Sequence, residues 1–190
     1  MHSIFRILFS VTLFILFFSP KTNAQPKTGQ YLDASIGLGL SAPYDEVDVS
    51  GSGFYAQGEY VFGITKWFGI RPYAGVVFTS PDANPNLPDY YRVTSDAFLF
   101  GGKARVAAPI PWVAPYFELG IGGSIGSFET YTPYRHIKKN GLIMHIPVSI
   151  GLALGRKHNF EFEFTYYYHE AVKQFSGAVA IAYSFPIPKK

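Results

Sequence analysis

Two pairs of charged residues stand two positions apart inside otherwise apolar stretches. Glu161 and Glu163 interrupt Phe-Glu-Phe-Glu-Phe-Thr-Tyr-Tyr-Tyr from Phe160 to Tyr168, and Lys103 and Arg105 lie between Ala97 and Ala107. Asp33, Glu59, Arg71 and Glu118 stand in four comparable stretches. Carboxylates and cations so placed could pair in a desolvated interior, where an unpaired charge is costly, or act as acid and base on a substrate. Five carboxylates against three cations leave a formal balance of −2.

Three other clusters carry chemistry-bearing side chains. His169, Glu170 and Ser176 supply the base, acid and hydroxyl types that acyl transfer uses. Tyr131, Tyr134, Arg135, His136, Lys138 and Lys139 mix aromatic and basic groups, which suits phosphates or a partner surface. Asp45, Glu46 and Asp48 lack the glycine and twelfth-position acid of a known calcium loop and read as surface charge. The segment Pro81 to Pro88 reads as turn chemistry.

The spacing of two identifies the elements that must position these groups. Successive strand side chains point to opposite faces, so Phe160, Phe162, Phe164, Tyr166 and Tyr168 share one face and Glu161, Glu163, Thr165 and Tyr167 the other. The same alternation runs through Tyr31 to Ser41, Phe54 to Ile64, Trp67 to Phe78, Ala97 to Ala107, Tyr116 to Ile125, Leu142 to Leu154 and Ser176 to Phe185. Eight strands can close an antiparallel up-and-down barrel with both termini on one side. The connections support it. Ala42 to Gly53, Thr79 to Asp96 and Gly126 to Gly141 are long and polar, and His169 to Phe175 joins them at the same end. Thr65-Lys66, Ala108 to Pro115 and Gly155 to Asn159 are shorter. Outer-membrane barrels have short periplasmic turns and longer outer loops.

Every charge within a strand core falls on the polar face, together with many of the small residues, and the apolar face holds none. Inward side chains converge in a narrow barrel, so the polar face is expected inside and the apolar face against lipid. Nine residues rising about 3.3 Å each, tilted near 40°, span roughly 23 Å, close to the ~25 Å apolar band of such barrels. Trp67, Trp112, Phe117, Phe160, Tyr183 and Phe185 would form the periplasmic girdle, and Phe54, Phe78, Phe98 and Tyr168 the outer one.

Composition agrees: aromatics reach 18%, while charged residues stop at 15%, below the ~25% typical of soluble domains. There is no cysteine, hence no disulfide framework or lipoprotein-type acylation site. Met1 to Ala24 reads as an export signal, with Arg6 ahead of the apolar run Ile7 to Phe18, a Ser19-Pro20 break and cleavage after Ala24. Residues 25–190 would be one barrel domain. Without Arg6 and Lys21, 14 basic residues meet 13 acidic ones, a formal charge of +1. The concentrated basic face that nucleic-acid binding requires is missing.

On these residues the chain resembles the small eight-stranded outer-membrane β-barrel family, the group that contains OmpX and the N-terminal domain of OmpA. The likeness spans Tyr31 to Phe185. The terminal strand Val179-Ala180-Ile181-Ala182-Tyr183-Ser184-Phe185 is similar to the signal by which the outer-membrane assembly machinery recognises clients. The tail Pro186 to Lys190 is a departure, since many members end on the aromatic.

The resemblance implies location in the cell outer membrane, contact with its lipid and lipopolysaccharide, and a structural, adhesive or surface-interaction role through the outer loops. A monomer is expected, with no cofactor, no metal and no enzymatic activity. The lumen charges would plug the barrel. The alternative is a narrow ion pore gated by their rearrangement, as in OmpA-type interiors. Lipid A deacylases and palmitoyltransferases share the architecture, but the deacylase His-x-Ser pattern is absent from the mature chain, as is the amphipathic helix expected before a palmitoyltransferase barrel. If the barrel were inside out, a soluble lipocalin-like carrier would result.

Overall fold

The computed structural model describes residues 28–188, apart from 46 and 89. The expected export signal and its cleavage point lie outside the described residues. Eight strands follow one another in the order β1 (Gly29–Pro43), β2 (Gly51–Gly63), β3 (Phe68–Pro81), β4 (Arg92–Ala107), β5 (Val113–Tyr131), β6 (His136–Leu154), β7 (Phe160–His169) and β8 (Gln174–Pro186), with one 3-10 turn at Glu170–Val172. Each strand pairs antiparallel with its neighbours in sequence, and β1 also pairs with β8, so the sheet closes into an all-β barrel. Among the described residues no helix is long and apolar enough to cross a membrane; the candidate spans are the strands themselves.

The alternation holds around the barrel. Leu32, Ile36 and Leu38 of β1, Ile121 and Ile125 of β5, and Phe160, Phe162 and Phe164 of β7 are all exposed, Ile121 by 65%. Asp33, Glu59, Arg71, Lys103, Glu118, Glu161 and Glu163 are each at most 3% exposed. An apolar exterior around a polar interior removes the lipocalin-like alternative, which needs the reverse. A single-residue slip would exchange the two faces, so the register is firmly specified. Where proline removes a ladder N–H, pairing skips: β2 and β3 are paired at Glu59 with Tyr73 and again at Phe62 with Ile70, Pro72 lying between. β5 and β6 skip likewise around Pro147.

Three strands run farther toward the long-loop end than the periodicity predicts. β4 begins at Arg92 and β5 continues to Tyr131, while β6 starts at His136. The long polar connection expected over Gly126 to Gly141 is therefore mostly a hairpin, closed by residues 132–135, in which Glu129 faces Lys138 and Tyr131 faces His136. Beyond the apolar band both faces of a strand are polar, so the alternation that marks strands in sequence fades although the ladder continues. His169, expected in the last connection, ends β7, while Ser176 stands within β8, the strand to which the periodicity assigns it. At the other end the connections are short, and Ala107 N–H donates to Trp67 O (2.9 Å), tying β4 to the β2–β3 turn.

Candidate functional site

The eight charges predicted for the lumen converge from β1, β2, β3, β4, β5 and β7 in the half of the barrel nearer the short turns. Arg71 of β3 lies against Glu59, reaches Asp33 at 3.0 Å and Glu161 at 3.5 Å, and comes within 3.7 Å of Glu118. Lys103 places its Nζ 2.5 Å from Glu59 Oε1 and 2.6 Å from Glu118 Oε2, with Glu163 at 3.9 Å. Arg105 donates to Glu118 (2.5 Å) and holds Glu161 through two parallel hydrogen bonds of 2.7 and 2.6 Å. Its guanidinium also lies 3.5 Å from the Tyr116 ring centroid, a cation–π contact in a desolvated setting.

The remaining carboxylate capacity goes to neutral donors. Ser184 donates to Asp33 (2.6 Å), Tyr116 and Thr165 donate to Glu163 (3.2 and 2.9 Å), and Gln57 Nε2 donates to Glu59 (2.7 Å). Glu59, Glu118 and Glu163 offer carboxylate oxygens within 4.8 Å of one another, the spacing of a cation site. The ammonium of Lys103 already stands in contact with Glu59 and Glu118, where such a cation would sit.

Above this layer is a second network that sequence reasoning did not assemble. Tyr73 Oη shares a hydrogen bond of 2.5 Å with His145 Nε2, His145 Nδ1 one of 2.6 Å with Ser124 Oγ, and Ser124 Oγ one of 2.8 Å with His169 Nε2. Beside it Tyr167 donates to Gln57 Oε1 (2.7 Å) and meets Tyr55 Oη at 3.0 Å. Gly101 and Gly122 make this possible, because a methyl group at either would collide with Tyr73 Oη. All these residues share the inward parity, which was the available signal. Apart from Ser124 with His145, on neighbouring β5 and β6, their mutual contacts depend on the stagger between strands that are not adjacent in sequence.

The acyl-transfer grouping of His169, Glu170 and Ser176 does not form. His169 turns into the lumen, and Ser176 Oγ meets Ser95 Oγ at 2.6 Å. Glu170 stays exposed, paired with Lys173 and accepting from Tyr168 Oη. Hydrogen bonding from Lys173 and Tyr168 holds the Glu170 carboxyl below its ordinary value. Alternate parity separates Glu170 from its neighbour, and the 3-10 turn carries it outward. Ser124 touches two imidazoles, as an activated nucleophile does, but it is fully buried and offers a substrate no face.

Of the six residues expected in an outer loop, Tyr131, His136, Lys138 and Lys139 lie on strands and only Tyr134 and Arg135 in the loop itself. Arg92 donates to Glu129 (2.7 Å), Lys138 pairs with the same carboxylate, and the Arg92 guanidinium stands 4.7 Å from the Tyr131 ring. Arg135 donates to both oxygens of Asp45 (2.9 and 3.0 Å), which ties the hairpin tip to the first outer loop. Asn84 donates to Asp48, and Glu46 lies outside the described residues. Tyr134 is 74% exposed, and His136 and Lys139 are exposed as well.

No protein-family model matches the chain, and no characterised protein matches it in sequence. Solved structures do. The barrel is similar to Neisserial surface protein A, with a TM-score of 0.60 at 11% identity over 84% of this chain and 97% of that one. It is similar also to the outer membrane protein OprG of Pseudomonas aeruginosa, with a TM-score of 0.50 at 11% identity over 88% and 100% of the two chains. The outer membrane enzyme PagL superposes with a TM-score of 0.48 at 14% identity, over 82% and 99%.

Proposed function

We propose that this chain, which has the fold of the small eight-stranded outer-membrane barrels, is an exported integral outer-membrane protein. It works as a monomer, with a lumen closed by ion pairs and a surface-interaction or adhesive role carried by its outer rim. The observation that carries the reading is the inverted distribution of polarity: an uninterrupted apolar exterior around a core of eight buried charges. Water would not select such an exterior, whereas lipid requires it, and an eight-stranded interior is narrow enough for side chains to fill.

The outer rim supports the surface role. Three strands carry charged and aromatic side chains past the apolar band, and Tyr134, His136 and Lys139 are exposed to lipopolysaccharide or a partner. The terminal strand is offered to the assembly machinery through Tyr183 and Phe185. A gated pore is the second reading. It is favoured by Arg71, which has four carboxylates within 4.0 Å and so could exchange partners.

Membrane fractionation with boiled and unboiled electrophoresis tests the barrel: faster migration unboiled, in the outer-membrane fraction, is the expected result. A heat-independent band in the soluble periplasm would overturn it. Planar-bilayer recording then separates plug from pore. A silent bilayer is expected, and stable conductance lost in Arg71→Ala would establish the gate.

A further inference from the structure

We propose that the short-turn end of the barrel carries a recognition site for the headgroup of a net-anionic phospholipid, centred on Trp112, Arg156 and Lys157. The proposal rests on the outer-membrane reading above, which turns this end toward the inner leaflet.

The first observation is charge. The turns at residues 64–67, 108–112 and 155–159 carry Lys66, Arg156 and Lys157 and not one Asp or Glu. The opposite end is mixed in sign: Arg92, Arg135, Lys138 and Lys173 pair with carboxylates there, and Lys139 is exposed. A one-signed rim beside lipid phosphates attracts anionic headgroups, and the attraction decays within a Debye length.

Construction is the second. Trp112 has φ +68 and His158 φ +52, left-handed conformations that glycine adopts freely and a bulky residue rarely does. The two turns brace each other: Gly155 N–H donates to Trp112 O (2.8 Å), and His158 Nε2 lies 3.2 Å from Ile110 O. This brace leaves the indole 58% exposed at the edge of the apolar band and sets the Arg156 guanidinium 5.4 Å from its ring centroid. An indole seats at the level of the lipid glycerol and carbonyls, while an arginine fork matches a phosphodiester and a neighbouring lysine adds a point charge. Interfacial anchoring alone needs the indole; the fixed arginine over it adds a preference among headgroups.

The test uses the folded barrel in vesicles of phosphatidylethanolamine and phosphatidylglycerol. The chain has two tryptophans, so in a Trp67→Phe background the fluorescence reports Trp112 alone. Bromine is placed on the chains of one lipid class at a time. We expect brominated phosphatidylglycerol to quench at roughly a threefold lower mole fraction than brominated phosphatidylethanolamine, in line with the attraction of a few basic residues. The preference should vanish in Arg156→Gln/Lys157→Gln, whose folding heat-modifiable mobility verifies, and in about 1 M salt. Equal quenching by both lipids in the parent barrel would overturn the headgroup site and leave the membrane reading intact. Absence of quenching by either lipid would overturn both.

Discussion

Arg105 and Glu161 meet across the lumen through two parallel hydrogen bonds, from β4 to β7, strands that are not neighbours in the sheet. The pair bridges the barrel wall to wall, and both side chains are almost wholly desolvated. Removing Glu161 takes away both of these hydrogen bonds and leaves the buried Arg105 with Glu118 as its one close carboxylate. Glu161→Ala is expected to destabilise the barrel by about 3–5 kcal/mol, whereas Arg105→Met/Glu161→Met should recover much of that loss. Urea unfolding in vesicles measures both, and equal losses in single and double variants would contradict the pairing.

Gly122 is kept small by its neighbours: a Cβ there would strike Tyr73 Oη, and the Phe100 carbonyl and His145 also crowd it. Gly122→Ala should cost about 1–3 kcal/mol by overpacking. Gly102, with nothing within 4 Å of its would-be Cβ, is the control, and Gly102→Ala should be close to neutral.

The lipid-facing surface is tested by depth. Ile121 lies outward near the middle of the apolar band and Ser127 outward near its edge. Ile121→Arg should cost about 2–4 kcal/mol and Ser127→Arg about 0–1. Similar effects at the two positions would mean that no bilayer surrounds the barrel.

Burial in the β6–β7 turn lowers the affinity of His158 for a proton, and its Nδ1 finds no hydrogen-bond partner among the described residues. The folded value lies below the unfolded one, so as pH falls through about 6.5 the unfolded chain takes up a proton that the folded chain refuses. Stability contributed by this residue is complete above that range and is lost as pH falls toward the folded value. His158→Asn, which tolerates the left-handed backbone, should reduce the decline in urea midpoint between pH 7.5 and 5.5. An unchanged slope would assign the decline to other groups.

The architecture was readable because one rule, polar in and apolar out, repeats through every strand. That rule placed Asp33, Glu59, Arg71, Lys103, Arg105, Glu118, Glu161 and Glu163 on one surface from spacing alone. What periodicity does not encode is which residue meets which across the lumen. His169 read as a loop base beside Glu170 and Ser176 because its neighbours in sequence are polar. Its actual partner, Ser124, lies 45 positions away and reaches it only through the stagger of the closed sheet. Nor does the alternation survive past the lipid band, so Arg92, Glu129 and Lys138 lost their strand signature where strand geometry still positions them.

The bond from Ser184 to Asp33 joins the last strand to the first, at the same register where Arg71 reaches Asp33. Until the final strand arrives, one flank of the charged layer stays open to water and its desolvation is incomplete. Sealing the cylinder therefore also completes the drying of its electrostatic core. A half-zipped barrel gains little from the ion pairs that lock the finished one, which sharpens the transition between open and closed chains.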